Sequence, residues 1–350
     1  RVIVNGRDGR FFLMRGEGVI NYQKYQKIIE LTGIKYIAIM LVVFYAGSLL
    51  PHIYYHWFLD LLSHFKLQYM LAGAVLGLVF LSTRKLVLAV LCFVVAISAL
   101  AESRLILEKP LQFSTQSVQN TELYTIALYN HHYTNRNFDA FEAWLEDKKS
   151  PDLVILQEAT QATSQFADSL KNIYPYQIHK PRKLAFGMVI LSKHPFEKYE
   201  QVFIDGPVIQ NYYIKISIKH PVTQSAMTIY ALHTLPPLGG NYAAQRNHEL
   251  TVTADEIAKD KTLSKILVGD LNVTPFSPVF KEVKDRSGLN YQSFGVLLNP
   301  TWPSRNFFLP LLQIPIDHVL HSDAIELLSK EVGPSFGSDH HMLITTLRLK

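Results

Sequence analysis

The sequence predicts an α/β domain of two β-sheets covered by helices, preceded by a helical membrane region. Three apolar runs fall within the first hundred residues. Short β-type runs alternate with stretches of helical periodicity from residue 122 onward, and strands outnumber helices there. The net positive charge of the chain comes from the first of these two parts.

The three apolar runs have the composition of membrane-spanning helices and lengths at or just below those of typical spans. They lie near residues 34–50, 68–82 and 86–101. A soluble core helix of this length would carry a polar stripe, and these runs carry none. A cleaved signal peptide explains the first run poorly, because two further apolar runs follow it. We therefore expect a transmembrane region of about three helices over residues 34–102.

Basic residues near the ends of these runs predict the orientation of the chain. They precede the first run or separate the second from the third: Arg15, Lys24, Lys27, Lys35, Arg84 and Lys85. We expect residues 1–33 to form a cytoplasmic segment and the C-terminal domain to lie on the opposite side of the membrane. In a bacterium this is a multi-pass inner-membrane protein with a periplasmic domain. Met14 is an alternative start site, and we attach no function to residues 1–13.

Two further segments complete this region. Residues 56–66 (HWFLDLLSHFK) place their apolar side chains on one helical face and Asp60, Ser63 and His64 elsewhere. This pattern predicts a short helix lying at the membrane interface. Residues 103–121 predict a polar linker that leads to a domain over residues 122–350.

Charge and cysteine content exclude some functions and disfavour others. Residues 1–101 hold ten Lys/Arg and four Asp/Glu, a balance of +6, whereas residues 102–350 hold 24 and 25, a balance of −1. The first part therefore accounts for the net charge of +5. A near-neutral domain lacks the basic surplus that tracks a phosphate backbone, which disfavours a nucleic-acid partner. The single cysteine, Cys92, excludes an internal disulfide and a cysteine-based metal site. No obligate protein partner is indicated.

Polar residues recur beside the predicted strands, where loops present functional groups. The strands cover residues 124–129, 152–157, 186–192, 212–218, 227–232, 265–269 and 342–347. The polar residues are Asn130, Glu158, His233, Asp270, Asn272, Asp317, Asp339 and His340. Singly, each is explained by a turn, a helix cap or a structural histidine. Together they supply carboxylates for a hard cation, a group to activate water, donors for phosphoryl oxygens and a histidine that a carboxylate orients.

The order of the motifs YN, LQE, GMVILS, HTLPP, GDLN, IDHVL and GSDHH resembles that of the endonuclease/exonuclease/phosphatase superfamily over residues 122–350. GDLN and SDH are the most specific of these motifs. The stretch YNHHYTNRN also resembles a bacterial subgroup with N-terminal transmembrane helices. The resemblance implies a four-layer sandwich of two mixed β-sheets flanked by helices. It also implies a hydrolase similar to deoxyribonucleases, sphingomyelinases and inositol-polyphosphate phosphatases.

The resemblance further implies a metal site. Glu158 corresponds to the principal Mg²⁺ or Mn²⁺ ligand, with Asn130 beside it. Asp339 corresponds to a further carboxylate of the metal site.

Catalytic roles follow from the same resemblance. Asp270 orients or deprotonates the attacking water, and Asn272 helps to hold the water or the scissile phosphate. His340, oriented by Asp317, faces the phosphoryl oxygens, and His233 assists the leaving group. The implied reaction is in-line attack of water on phosphorus without a covalent intermediate.

Substrate contacts are indicated by two features. Asn135 is the second asparagine of the subgroup motif YNHHYTNRN. Lys180, Arg182 and Lys183 form a basic patch that is either a solvated loop or a contact for an anionic substrate or lipid headgroup.

Three functions are consistent with the sequence. We favour a membrane-anchored phosphoesterase that cleaves a phosphodiester or phosphomonoester, such as a lipid headgroup. The alternatives are an extracytoplasmic DNA or RNA nuclease and an inert membrane-tethered binding module; the complete motif set disfavours the latter.

Overall fold

The computed structural model describes residues 2–5, 11–14, 19–106, 123–146, 150–293, 298–304 and 310–350. The chain divides into two compact units. One comprises Arg1–Gly47 and Lys66–Ala101, and the other comprises Ser48–Phe65 and Glu102–Lys350. A short stretch of the N-terminal region thus belongs to the same unit as the α/β domain.

The first unit combines a small sheet with apolar helices. Strands β1–β3 (Val2–Asn5, Phe11–Met14, Val19–Asn21) pair antiparallel, and helices α1 (Tyr22–Gly47), α3 (Lys66–Ser82) and α4 (Leu86–Ile106) follow. Within the part of the chain that the structure describes, two helical stretches are long and apolar enough to cross a membrane, Thr32–His52 and Leu86–Ser103. A third results if α3 and the preceding helix Trp57–Ser63, which meet at a bend of 60°, count as one span. These helices are the candidates for the predicted spans.

Helices α3 and α4 approach each other closely at two glycines. A β-carbon on Gly73 would lie 2.6 Å from the carbonyl oxygen of Cys92, and one on Gly77 would lie 2.7 Å from the Phe93 ring. Small residues four positions apart permit such close helix packing. Cys92 is buried at this contact.

The second unit contains two six-stranded sheets. Strands β4–β15 are Leu123–Asn130, Leu153–Gln157, Tyr176–Lys180, Met188–Ser192, Phe196–Ile204, Asn211–Lys219, Ala226–Leu232, Ser264–Asp270, Asn290–Tyr291, Asp317–His321, Ile325–Val332 and Leu343–Leu349. The strand order is β12-β13-β11-β10-β9-β8 in one sheet and β14-β15-β4-β5-β7-β6 in the other. Each sheet is mixed, because β10 pairs parallel with β11 and β4 pairs parallel with β5, while the other pairings are antiparallel.

Helices cover the outer faces of both sheets. Helices α2 and α5–α8 are Trp57–Ser63, Asp139–Glu146, Gln161–Ser169, Gly240–Lys259 and Pro278–Ser287. Apolar side chains of both sheets form one core between them, while α7 and α8 pack on one outer face and α5 and α6 on the other. The predicted four-layer sandwich of two mixed sheets is confirmed.

A buried glutamine joins the two sheets where their strands end. The Gln157 side-chain amide donates to the Leu232 carbonyl at 2.9 Å, and its oxygen accepts from the Asp270 amide at 2.9 Å. Strand β11 comes this close to β10 only because residue 269 is glycine: a β-carbon there would overlap the Leu232 carbonyl oxygen. The ends of β5, β10 and β11 are thereby held together.

The expected linker over residues 103–121 is described only in part. Residues 103–106 continue α4, and residues 107–121 lie outside the described residues.

Candidate active site

The structure gathers polar residues of the predicted site where the two sheets meet. Asn130 ends β4, Glu158 follows β5 and His233 follows β10, while Asp270 ends β11 and pairs with Asp317 at the start of β13. Because β4 and β5 run parallel, as do β10 and β11, their carboxyl ends fall at common edges. Residues far apart in the sequence therefore meet in one cluster.

Asp270 lies at the centre of this cluster. Its Oδ2 accepts a hydrogen bond from the Asn130 side-chain amide at 3.2 Å. The Nε2 atoms of His233 and His340 each lie 3.6 Å from the same oxygen. Burial, followed by the Asp317 carboxylate, raises the pKa of Asp270 to about 8, although His340 acts in the opposite direction. The carboxylate form of Asp270, the form that can accept a proton, is therefore a stronger base than an ordinary carboxylate.

His340 is held by a buried carboxylate. Its Nδ1 lies 2.9 Å from Oδ2 of Asp317, which orients the ring so that Nε2 faces Asp270. Burial alone would lower the pKa of His340, but the carboxylates of Asp317 and Asp270 outweigh burial and raise the pKa to about 10. Burial acts to raise the pKa of Asp317, but His340 holds it below its usual range. At neutral pH this pair is an imidazolium and a carboxylate.

His233 differs from His340 in its charge. Burial lowers the pKa of His233 to about 4, against the opposing effect of Glu158. Its imidazole is therefore neutral near pH 7 and can donate only one N–H. The site thus holds two histidines with opposite protonation states.

Glu158 is fixed by its backbone and by two donors. Its φ of 59° lies in the left-handed region, which is unusual for a glutamate and marks a position held by its surroundings. Its carboxylate accepts from the Tyr133 amide at 3.0 Å and from the Asn130 side chain at 3.3 Å. The carboxylate therefore faces Asn130, the residue predicted to bind metal beside it.

Asn272 shapes the loop after β11. Its φ of 49° is left-handed, and its amide donates to Oδ1 of Asp270 at 3.0 Å. Its side chain donates to the Thr234 carbonyl at 2.9 Å, which links this loop to the residue after His233. Its own carbonyl accepts from the guanidinium of Arg246 at 3.0 Å.

Asp339 lies on the loop before β15. One of its carboxylate oxygens, Oδ2, accepts from the Trp302 indole at 3.3 Å. The other, Oδ1, is buried and accepts no hydrogen bond from any described residue. The neighbouring Ser338 donates to the Asn130 carbonyl at 2.7 Å, which ties this loop to the end of β4.

The predicted substrate-contact residues flank this cluster. Asn135 donates to the Phe336 carbonyl at 3.1 Å, so it braces the loop that carries Asp339. The Arg182 amide donates to the carbonyl of Ala159, directly after Glu158, and its guanidinium lies 4.8 Å from the Tyr212 ring centroid. Lys180 ends β6, and Lys183 is exposed.

The side chains present fit a divalent cation. Asp270, Asp317 and His340 each offer one ligand atom within 4.8 Å of the others, so this buried group could hold a metal ion. It is a different set from the predicted ligands Glu158, Asn130 and Asp339, which remain a prediction. The unpartnered buried oxygen of Asp339 favours a cation or donor there, because buried carboxylate oxygens are normally satisfied. Carboxylate oxygens are the ligands that Mg²⁺ and Mn²⁺ prefer.

Sequence patterns missed three residues that support the site. Gln157 lies inside the LQE motif, so its position beside Glu158 was a usable signal. Arg246 lies on α7 and is fully buried, and Asp60 lies on α2 and is also buried. Neither stands next to a motif.

A family model describing the endonuclease/exonuclease/phosphatase family matches residues 127–340. The chain belongs to this family. Members of the endonuclease/exonuclease/phosphatase family are mostly metal-dependent hydrolases of phosphate esters. A search of curated protein sequences gave no significant match.

Solved structures of the endonuclease/exonuclease/phosphatase family share the fold. One is an endonuclease/exonuclease/phosphatase from Beutenbergia cavernae (TM-score 0.54, 18% identity, covering 65% of this chain and 72% of that one). A second is the catalytic domain of human Nocturnin (TM-score 0.53, 16% identity, 67% and 97%). A third is a family member from Bacteroides vulgatus (TM-score 0.51, 15% identity, 65% and 99%). At these identities the similarity establishes the fold of the second unit.

Proposed function

We propose that this chain is a membrane-anchored, divalent-metal-dependent phosphoesterase that hydrolyses a phosphate ester by in-line attack of water. The observation that carries the proposal is the buried arrangement of Asp317, His340 and Asp270, in which a carboxylate orients a charged imidazole toward a second carboxylate. Such an arrangement in this family supplies both a proton acceptor and a cationic donor at one point.

Asp270 is the residue that accepts the proton of the attacking water. In its carboxylate form it is a stronger base than an ordinary aspartate because its pKa is raised, and Asn130 and Asn272 hold its two oxygens in place. The water oxygen forms a bond to phosphorus as the bond to the leaving oxygen breaks.

The two histidines serve different oxygens. His340, charged and oriented by Asp317, donates to the phosphoryl oxygens, where negative charge increases. His233, neutral through burial, stabilises the leaving oxygen with a hydrogen bond from its single N–H.

Glu158, Asn130 and Asp339 would hold Mg²⁺ or Mn²⁺. When bound, the ion neutralises charge on the phosphoryl group. The basic patch Lys180, Arg182 and Lys183 adjoins the residue after Glu158, because the Arg182 amide donates to the Ala159 carbonyl. We assign this patch, together with Asn135, to the anionic part of the substrate.

The apolar helices support membrane attachment, and the distribution of basic residues supports a catalytic domain on the periplasmic side of a bacterial inner membrane. A membrane-attached domain with no basic surplus favours a phosphate ester at the membrane surface, such as a lipid headgroup, over DNA or RNA.

The test is a panel of phosphate esters (phospholipid vesicles, nucleotides, inositol phosphates and plasmid DNA) offered to the purified full chain with Mg²⁺ or Mn²⁺. The Glu158→Ala variant serves as the blank. We expect the wild type to release product from a lipid or small ester in a metal-dependent reaction. The Glu158→Ala variant should release none. Nicking of plasmid that Asp270→Ala and His340→Ala both abolish would identify a nuclease instead. Absence of any activity above the blank would overturn the proposal and favour a binding module.

A further inference from the structure

Helix α2 buries its polar side and exposes an apolar residue. Asp60 is 1% exposed and Ser63 is fully buried, whereas Phe58 on the same helix is 48% exposed. The polar residues of α2 therefore have buried partners within the second unit.

The principal partner of Asp60 is Arg246 of α7. Arg246 is 0% exposed, and its Nη2 lies 2.8 Å from Oδ2 of Asp60. The other oxygen of Asp60 accepts from the hydroxyl of Ser277, the residue that caps α8, at 2.6 Å. Arginine cannot lose its proton inside a protein, so its buried charge requires a carboxylate partner.

Arg246 also bonds to the loop 270–274, which carries Asp270 and Asn272. Its Nη1 donates to the carbonyl of Asn272 at 3.0 Å. Asn272 has a left-handed backbone, which asparagine adopts more readily than most residues, and the Arg246 contact fixes the direction of its carbonyl. The same loop is held a second time from the α2 segment, because Nδ1 of His64 lies 2.9 Å from the hydroxyl of Thr274.

We propose that Asp60 and His64 are positioning residues for the active site. Asp60 holds the guanidinium of Arg246 against the Asn272 carbonyl, and His64 holds Thr274, so that the loop 270–274 keeps the shape that directs Asp270 and Asn272. The segment Ser48–Phe65 is then part of the hydrolytic domain. The activity-based part of the test rests on the proposed hydrolase function, whereas the exchange-based part does not.

The first experiment measures kcat and KM of the full chain in detergent micelles on bis(p-nitrophenyl) phosphate with Mn²⁺. We expect Asp60→Asn to lower kcat about tenfold while KM changes by less than about twofold. Asp60→Glu, which keeps the charge, should recover part of the loss. The matched control is Asp285→Asn, which removes an aspartate of an exposed ion pair with Lys281 and should behave as the wild type.

A second background separates positioning from general destabilisation. If Asp60 acts through Arg246, Asp60→Asn should change kcat by less than about twofold when Arg246 is already methionine. An equal loss of kcat in both backgrounds, or no loss in the wild-type background, would overturn the proposal.

Hydrogen–deuterium exchange tests the same constraint without using activity. In Asp60→Asn we expect the amides of residues 271–274 and 276 to exchange at least about tenfold faster than in the wild type and in Asp285→Asn. Unchanged protection would overturn the proposal even if no ester is hydrolysed, whereas an inactive wild type with faster exchange in Asp60→Asn would overturn only the hydrolase assignment. If Asp60→Asn does not fold, His64→Leu, which leaves no buried charge, decides: faster exchange at residues 272–276 supports the proposal, and wild-type exchange overturns it.

Discussion

Nδ1 of His340 lies 2.9 Å from Oδ2 of Asp317, and both side chains are buried. The carboxylate fixes the orientation and the charge of the imidazole, so that its Nε2 faces Asp270. The two side chains therefore act as one unit toward a substrate bound in the site.

Substitutions at this pair should not be additive. We expect His340→Gln to lower kcat about 10³-fold and Asp317→Asn about 10²-fold. The double variant should be at most about threefold worse than His340→Gln alone, because the carboxylate acts only through the imidazole. Steady-state kinetics on the best ester of the panel gives the three values. His341→Gln is the matched control, since that ring bonds to the Gly333 carbonyl outside the cluster; additive losses would contradict the assignment.

Glu158 should determine metal affinity. Replacing even an outer-shell partner of a metal ligand costs about 10- to 100-fold in affinity, so Glu158→Gln should weaken Mn²⁺ binding by at least about tenfold. Isothermal titration of the full chain with Mn²⁺ measures this directly. Glu197→Gln removes an exposed carboxylate paired with Lys219 and should bind as the wild type does. Equal affinity of Glu158→Gln and the wild type would place the ion elsewhere, with the group Asp270, Asp317 and His340 as the first alternative.

Gly269 should tolerate no side chain. A β-carbon would overlap the Leu232 carbonyl and approach the Gln157 amide, which joins the two sheets. We expect Gly269→Ala to lower the free energy of unfolding by about 3 kcal/mol or more. Gly240→Ala is the control, because its β-carbon would meet only the Trp57 ring at 3.4 Å. Urea denaturation in detergent compares the two, and similar stability of both variants would disprove the steric argument.

Lys330 should make stability depend on pH. Its side chain is 4% exposed and donates to the Gln292 carbonyl, and burial lowers its pKa from 10.5 to about 7. Between these values the unfolded chain binds more protons than the folded chain. The free energy of unfolding therefore rises with pH in this window, by up to about 1.4 kcal/mol per pH unit.

Lys330→Met isolates this effect, because the variant cannot titrate at that position. We expect the variant to be the more stable protein at pH 7, with an advantage that shrinks steadily as the pH rises toward 10. Urea denaturation at several pH values measures both proteins. An advantage that stays constant with pH would mean that Lys330 titrates near its ordinary value.

The sandwich could be predicted because its central strands are buried on both faces. Strands β4, β5, β7 and β11 are apolar without alternation and end at polar motif residues. Edge strand β8 was not predicted as a strand, because most of its side chains are exposed and it carries no continuous apolar run.

The catalytic motifs could be found for the same reason, whereas the residues that hold those motifs in position could not. Each motif directly adjoins a buried strand, so local sequence was sufficient. The amphipathic pattern of residues 56–66 separated the polar from the apolar side chains of this helix, but no local pattern reveals the partner that buries Asp60. A helix periodicity states which residues share a face and leaves open what that face contacts.

Asp60 and Arg246 are separated by 186 positions in the chain. Contacts between such distant residues close a large loop and raise the contact order, which slows folding. During synthesis the carboxylate leaves the ribosome long before the guanidinium that it neutralises. The order of events in biogenesis therefore matters for this protein. Its last third completes its structure only when the segment Ser48–Phe65, which is synthesised much earlier, is available to pack against it.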